Sequence, residues 1–364
     1  MPKSSAPRAS PPFTRPRTSR SQTSWPMSCS WWTRTPTRRR SAAPPARKVP
    51  MGYALSLVLP IFGVIGLGYM AVRLRVLSDA AIDGLDAYVF TFGIPFLLFR
   101  NIARTAMPDA LPWGLWLSYY GAMLGVWLLG SLIARYALKK NFGEAIIIGF
   151  GGGQGNVAML GIPIILTGFG DAAGVPLFLL LAFHGLILIT TATFLLEMAQ
   201  LPEGQQVPVR RILMNGLMGS LKNPIIIGLG LGLIYGRFGV PLPGPVDATV
   251  EMMSKTGIPC ALFVLGGMLT RYHLRAAIAT ASMTATFKLV VHPLLVFVMT
   301  DFVFGLPPLW VAVATVLAGM PTGVYSSILA GRYRMAPATA SSAVLISTAT
   351  SAITLTLLLN YFRP

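Results

Sequence analysis

From Met51 onward, long apolar runs alternate with short polar stretches rich in Lys and Arg. A helix needs about 20 mostly apolar residues to cross a bilayer's hydrocarbon layer. On that measure the pattern predicts ten helical spans, at about 53–72, 82–99, 113–137, 145–169, 175–196, 224–235, 246–269, 277–304, 309–329 and 338–361. Only 11% of residues are charged and mean hydropathy is +0.66. In a soluble domain roughly a quarter of residues carry charge. The expected fold is an all-α polytopic membrane protein.

The pattern also repeats. Leu59-Pro60-Ile61-Phe62 is echoed by Asn223-Pro224-Ile225-Ile226, and Gly93-Ile94-Pro95 by Gly257-Ile258-Pro259, both 164 positions on. About five spans separate the copies, so the second enters the bilayer from the opposite side. Two inverted five-helix repeats are expected, over 51–200 and 223–364, joined by a cytoplasmic linker at 201–222. Inverted repeats place transport sites where the halves meet.

Charge orients the set. Arg73, Arg75, Arg135, Lys139, Lys140, Arg210, Arg211, Lys222, Arg271, Arg275, Arg332 and Arg334 fall on one side. Arg100, Arg104, Arg237 and Arg363 fall on the other. The first side is expected in the cytoplasm of a cell whose inner (plasma) membrane holds the chain. Both ends, counted from Met51, are then outside. Residues 1–50 add eleven Lys and Arg and no acid to the net charge of +18. This Arg/Pro/Ser-rich stretch is expected to be disordered. A lipid- or nucleic-acid-binding tail and a transit peptide are open readings. The favoured one starts translation at Met51 and treats the leader as non-native, with no nucleic-acid partner.

Two spans contain helix breakers. The fourth runs from Gly149-Phe150-Gly151-Gly152-Gly153-Gln154-Gly155-Asn156 to Gly161-Ile162-Pro163, and the interruption is expected at the last three residues. The ninth is interrupted at Met320-Pro321-Thr322-Gly323. Proline suits the first turn of a new helix, so each break should restart a half-helix whose N–H groups face the bilayer centre. Two such ends attract an anion without a cationic side chain. A tolerated kink is the alternative for either span alone. Cys29 and Cys260 show no metal or redox spacing, and there is no dinucleotide or P-loop fingerprint. Neither metal nor cofactor is expected. Three dispersed histidines and isolated acids also argue against an enzyme.

These residues carry a resemblance. Gly155-Asn156 followed by Leu160-Gly161-Ile162-Pro163, then Lys222-Asn223-Pro224, then Met320-Pro321-Thr322-Gly323 followed by Ala330-Gly331-Arg332-Tyr333, resemble the auxin efflux carrier family from about Met51 to Pro364. The resemblance implies crossing broken helices in spans four and nine, a homodimer, and an organic-anion substrate. It also implies an elevator-like transport domain of spans 3–5 and 8–10 moving on a scaffold of spans 1–2 and 6–7. Carried over by position, Asn156, Pro163 and Pro321 match the family's pattern, and Gly161, Ile162, Met320, Thr322, Gly323 and Ser326 complete the expected substrate site.

For several of these residues two readings stand. Asn156 can donate to a carboxylate or join helices by a hydrogen bond. Thr322 and Ser326 can offer hydroxyls or bond back to their own helix. Tyr325 is a gate or packing. His184, Lys288 and His292 are ionisable groups at membrane depth, hence candidates for substrate contact or proton coupling. Lys288 and His292, four apart, share a helix face. The plain alternatives are a satisfied buried histidine, and a lysine that snorkels or pairs with Asp301 or Glu251. Asp86, Glu251 and Lys255 read as interfacial charges or scaffold pairs. The rival functions are a cation-coupled symporter or antiporter on a similar fold, and a receptor or channel.

Overall fold

The computed structural model describes residues 52–105, 111–201, 208–274 and 277–362. The expectations for residues 1–50 and for Pro202–Val207 lie outside them. The described residues form thirteen helices: α1 (Gly52–Arg73), α2 (Asp79–Ala103), α3 (Trp113–Ala137), α4 (Phe142–Gly153), α5 (Val157–Phe169), α6 (Asp171–Gln200), α7 (Val209–Leu221), α8 (Pro224–Arg237), α9 (Gly244–Leu269), α10 (Ile278–Val303), α11 (Pro308–Ala318), α12 (Tyr325–Tyr333) and α13 (Pro337–Tyr361). Among the described residues there is no strand, only an isolated bridge between Gly155 and Thr322.

Seven helices are long and apolar enough to cross a membrane: α1, α2, α3, α6, α9, α10 and α13. An eighth span results if α7 and α8, bent by 60° at their junction, are taken together. Each of the ten predicted segments is helical, but the fourth and ninth are divided into α4/α5 and α11/α12. The pieces α4, α5 and α11 are short apolar helices. Helix α7 arises where a linker was expected. Val209, Leu213, Met214, Leu217 and Leu221 hold its apolar side exposed.

Local chemistry sets the ends. Asn141 caps α4 by accepting from the Glu144 N–H at 2.8 Å, and Glu144 puts a carboxylate in the first turn, at the positive end of the dipole. Asn223 caps α8 at 2.9 Å, with Pro224 in the first turn where no N–H is needed.

Two packed groups result. In the first, α1 lies on α9, and α2 lies on both α8 and α9. Glycine allows the contact: a Cβ at Gly93 would stand 2.9 Å from the Gly257 Cα, and one at Gly228 would meet the backbone of Pro95. Small residues let backbones approach where lipid provides no hydrophobic drive. Ion pairs tie both ends of this group. Arg100 reaches Glu251 at 2.7 Å and Arg104 reaches Asp247 at 2.5 Å. Glu251 also holds Lys255 at 2.7 Å. At the opposite end Arg271 pairs with Asp83 at 2.8 Å and Asp79 at 3.2 Å, and the hydrogen bond to Asp83 raises the pKa of the guanidinium. Asp86, half-buried, keeps one carboxyl oxygen without a hydrogen-bond partner.

The second group contains α3 to α6 and α10 to α13. Helix α4 is wedged between α3, α10, α12 and α13. Its glycine run makes this possible: a Cβ at Gly149 would collide with the Trp127 carbonyl and Ser131 of α3, and one at Gly151 would stand 2.9 Å from Thr284 of α10.

Candidate functional site

The two broken segments cross and join through their backbones. The Asn156 N–H donates to the Pro321 carbonyl at 2.8 Å, and the Gly323 N–H donates to the Gln154 carbonyl at 3.1 Å. These bonds make the antiparallel bridge Gly155–Thr322. Peptide groups freed from helical bonding thereby satisfy one another inside the protein, where irregular backbone is tolerated at membrane depth.

The first break is not where the prolines suggest. Helix α4 ends at Gly153, Gln154 and Asn156 leave helical geometry, and α5 starts at Val157. Gly161, Ile162 and Pro163 lie inside α5, buried, so the expected interruption there is corrected. Val157–Gly161 form a π-helical turn in which the Ile162 N–H reaches back five residues to the Val157 carbonyl. This wider turn absorbs Pro163, which lacks an N–H and clashes with a carbonyl four residues back. The same device precedes Pro95, after the π-turn Val89–Gly93, and Pro293, after Phe287–Val291. The second break, Gly319 to Val324, does contain Pro321, with Met320 and Thr322 fully buried.

Neither new helix has a side-chain cap: none is made at Asn156 before α5 or at Val324 before α12. Local carbonyls take some of the first-turn N–H groups, Gly155 that of Val157 and Gly323 that of Ser326, and the positive dipole ends of both helices start at the crossing. Asn156 is 6% exposed. Thr322 bonds across the break rather than to its own helix, its Oγ1 donating to the Gly151 carbonyl and its N–H to Ser347 Oγ, both at 3.0 Å. Ser326 is fully buried with its hydroxyl unpartnered. Tyr325 is exposed.

A lysine amine also stands at the crossing, beside the anion centre expected from backbone alone. Lys288, presented by the α10 π-turn, is fully buried. A Cβ at Gly155 would lie 2.9 Å from its Cε and 3.1 Å from its Nζ, so a larger residue there would push the amine from its place against the broken backbone. Nζ donates to the Ala318 carbonyl, at the negative end of α11, and lies 3.1 Å from His292 Nδ1. The lysine neither snorkels nor pairs with Glu251, which is bound to Arg100 and Lys255. Among the described residues Lys288 has no ion-pair partner, Asp301 included.

Two histidines and a tyrosine extend this cluster. The Tyr119 ring of α3 lies 5.6 Å from His292 and 6.1 Å from His184 between centroids. His184 of α6 faces the Gly155 carbonyl, yet both of its ring nitrogens lack hydrogen-bond partners. His292 Nε2 and the Tyr119 hydroxyl are likewise buried and unpartnered. Sequence reasoning missed Gln154, Ser347 and Tyr119. Gln154 stood in the motif it quoted, and its side chain fills the space beside Gly323. Ser347 belongs to a buried polar series along α13 with Thr339, Ser342 and Ser351, a spacing that could have marked a helix face turned toward the site.

Comparison with known proteins settles the class. A family model described as "Membrane transport protein" matches residues 53–359. The chain belongs to the auxin efflux carrier family of membrane transporters. Family members are transporters, not enzymes, and multi-pass embedding in a membrane accords with the apolar helices. A relative in Rhizobium meliloti (strain 1021) named "Putative malonate transporter" is 28% identical over 314 residues, covering 86% of this chain and 97% of its own. "Auxin efflux carrier component 8" of Arabidopsis thaliana is 23% identical, covering 80% of this chain and 93% of its own. The "Uncharacterized transporter YfdV" of Escherichia coli K12 is 20% identical, covering 80% and 91%.

Proposed function

We propose that this carrier moves a small organic anion, a mono- or dicarboxylate, by alternating access across an inner membrane. The observation that carries the reading is the paired break. Two uncapped helix starts converge beside a buried lysine amine that has no carboxylate partner among the described residues. An anion placed there would complete the charge, with first-turn N–H groups and Asn156 orienting its carboxylate and Ile162, Met320 and other apolar neighbours selecting the rest. Gly161, Pro163, Pro321, Thr322, Gly323 and Ser326 shape the same site. The relative named for malonate, a dicarboxylate, supports this substrate class.

The proposed topology has ten crossings, with α4/α5 and α11/α12 each counted as one, arranged as two inverted repeats. Contacts support that symmetry. The repeated Gly93 and Gly257 touch each other, and the α1–α9 contact has its exchanged counterpart in α8–α2. The group α1, α2, α8 and α9 would serve as scaffold. The other group would be an elevator carrying the crossing between the two faces, the termini counted from Met51 would lie outside, and the working unit would be a homodimer.

Reconstituted protein should show saturable, concentrative malonate uptake that a second dicarboxylate inhibits. Non-saturable flux would favour a channel. A thermal-shift screen of carboxylates would name the best ligand, because binding raises Tm by mass action.

A further inference from the structure

We propose that Lys288 is the proton carrier of this transporter: a neutral amine when the site is empty, it gains one proton through His292 with each anion bound. The inference rests on the anion-carrier reading and adds a named coupling group. Its starting point is charge. Burying an ammonium without a counter-ion costs several kcal/mol, as does burying a lone carboxylate. Lys288 is fully buried without an acid partner among the described residues, and the partners it has are the Ala318 carbonyl and His292. The titratable groups facing the cluster from other helices are Tyr119 and Tyr120 of α3 and His184 of α6, none a carboxylate. Empty, the site is best buried neutral; occupied by a carboxylate, it is best buried with the amine charged. Either species alone crosses poorly, so the two should travel together.

The contact to His292 accommodates both states. A neutral amine donates to the Ala318 carbonyl and accepts the Nδ1–H of His292; an ammonium donates to both, with His292 as its Nε2–H tautomer. Conversion needs one proton delivered to Nε2 while the Nδ1 proton passes to Nζ. One proton enters, one N–H bond forms at each nitrogen that gains, one breaks at Nδ1, and the pair becomes singly positive. His292 Nε2 is buried without a well-formed hydrogen bond, the ring faces the Tyr119 and Ala318 carbonyls, and its centroid lies 5.6 Å from that of the Tyr119 ring. Tyr119, His184 and His292 would then form the relay.

The test uses full-length protein in proteoliposomes with radiolabelled malonate outside, a pH dye inside and the membrane potential clamped. In wild type, malonate entry should acidify the lumen, and an inward proton gradient should raise accumulation at least tenfold. In Lys288→Met, which keeps length and apolar packing, both responses should vanish, and any uptake that remains should ignore the pH gradient. His292→Gln should slow gradient-driven uptake at least tenfold. Acidification persisting in Lys288→Met would mean that malonate brings its own proton, and would overturn the inference. Wild-type uptake without proton entry would also overturn it, leaving the carrier reading intact, whereas wild-type protein that neither accumulates nor exchanges any carboxylate would overturn the carrier reading itself. A second readout needs no transport: ¹⁵N spectra of histidine-labelled empty protein, with His292 assigned by its loss in His292→Gln, should show the Nδ1–H tautomer at neutral pH. The Nε2–H tautomer there would sink the proposal.

Discussion

The end of Lys288 lies where a Cβ at Gly155 would crowd it, and this pairing makes the crossing sensitive to single atoms. Gly155→Ala should displace the amine and reduce malonate uptake at least tenfold, measured as initial rate in proteoliposomes. Pro163→Ala should be mild, within about threefold, because that proline lies inside a continuous helix rather than at the break. Thr322 makes two bonds at the crossing, one to Gly151 of the other broken segment and one to Ser347 of α13. Thr322→Val removes one of them and leaves the Gly151 carbonyl unmet, a loss of about 1–3 kcal/mol, read as a lower Tm in detergent. At this scale the sequence was legible in part. Residue types named Asn156, Thr322, Ser326, Lys288 and His292 as polar groups at membrane depth. They did not reveal that Lys288 and Gly155 meet, because that contact joins positions 133 apart through a glycine with no side chain to advertise it.

Elements were read well where hydropathy alone decides, and less well where proline was given the deciding role. Proline forbids one hydrogen bond, and a π-turn satisfies that prohibition at Pro95, Pro163 and Pro293 without ending the helix. What ends α4 is the glycine-rich run 151–155 meeting a partner segment able to take its backbone bonds. That partner is a tertiary fact and cannot be found in the local sequence. Helix α7 was missed for the opposite reason: its apolar side alternates with Arg210, Arg211 and Asn215, so it reads as a linker when judged by average hydropathy. The α4 wedge gives a prediction at this scale. Gly149→Leu forces a side chain into Trp127 and Ser131 of α3 and should destabilise the protein by about 1–3 kcal/mol. A fluorescence-detected unfolding curve would register the fall, while Gly230→Leu on α8, where a Cβ meets open space, should leave it unmoved.

For the whole molecule, the echo between 60 and 224 and between 93 and 257 predicts a duplicated unit. Gly93 and Gly257 do touch. The proposed elevator makes a mechanical prediction across the two packed groups. With Cys29 and Cys260 replaced by Ser, a cross-link between cysteines at Tyr88 and Thr256, whose hydroxyls lie 2.9 Å apart within the scaffold group, should leave uptake intact. A cross-link between cysteines at Leu57 of α1 and Leu359 of α13, which both approach Gly168, should arrest it. Equal rates in the two cross-linked proteins would exclude relative motion of the groups.

Main-chain pairing between Gly155 and Thr322 fastens the two interrupted segments into one piece, independent of side-chain identity. In the proposed elevator, a guest seated on that piece would meet the same walls whichever way the protein is turned. Competing carboxylates should therefore rank in one order whether they are offered to the lumen or to the exterior, even if their absolute affinities differ.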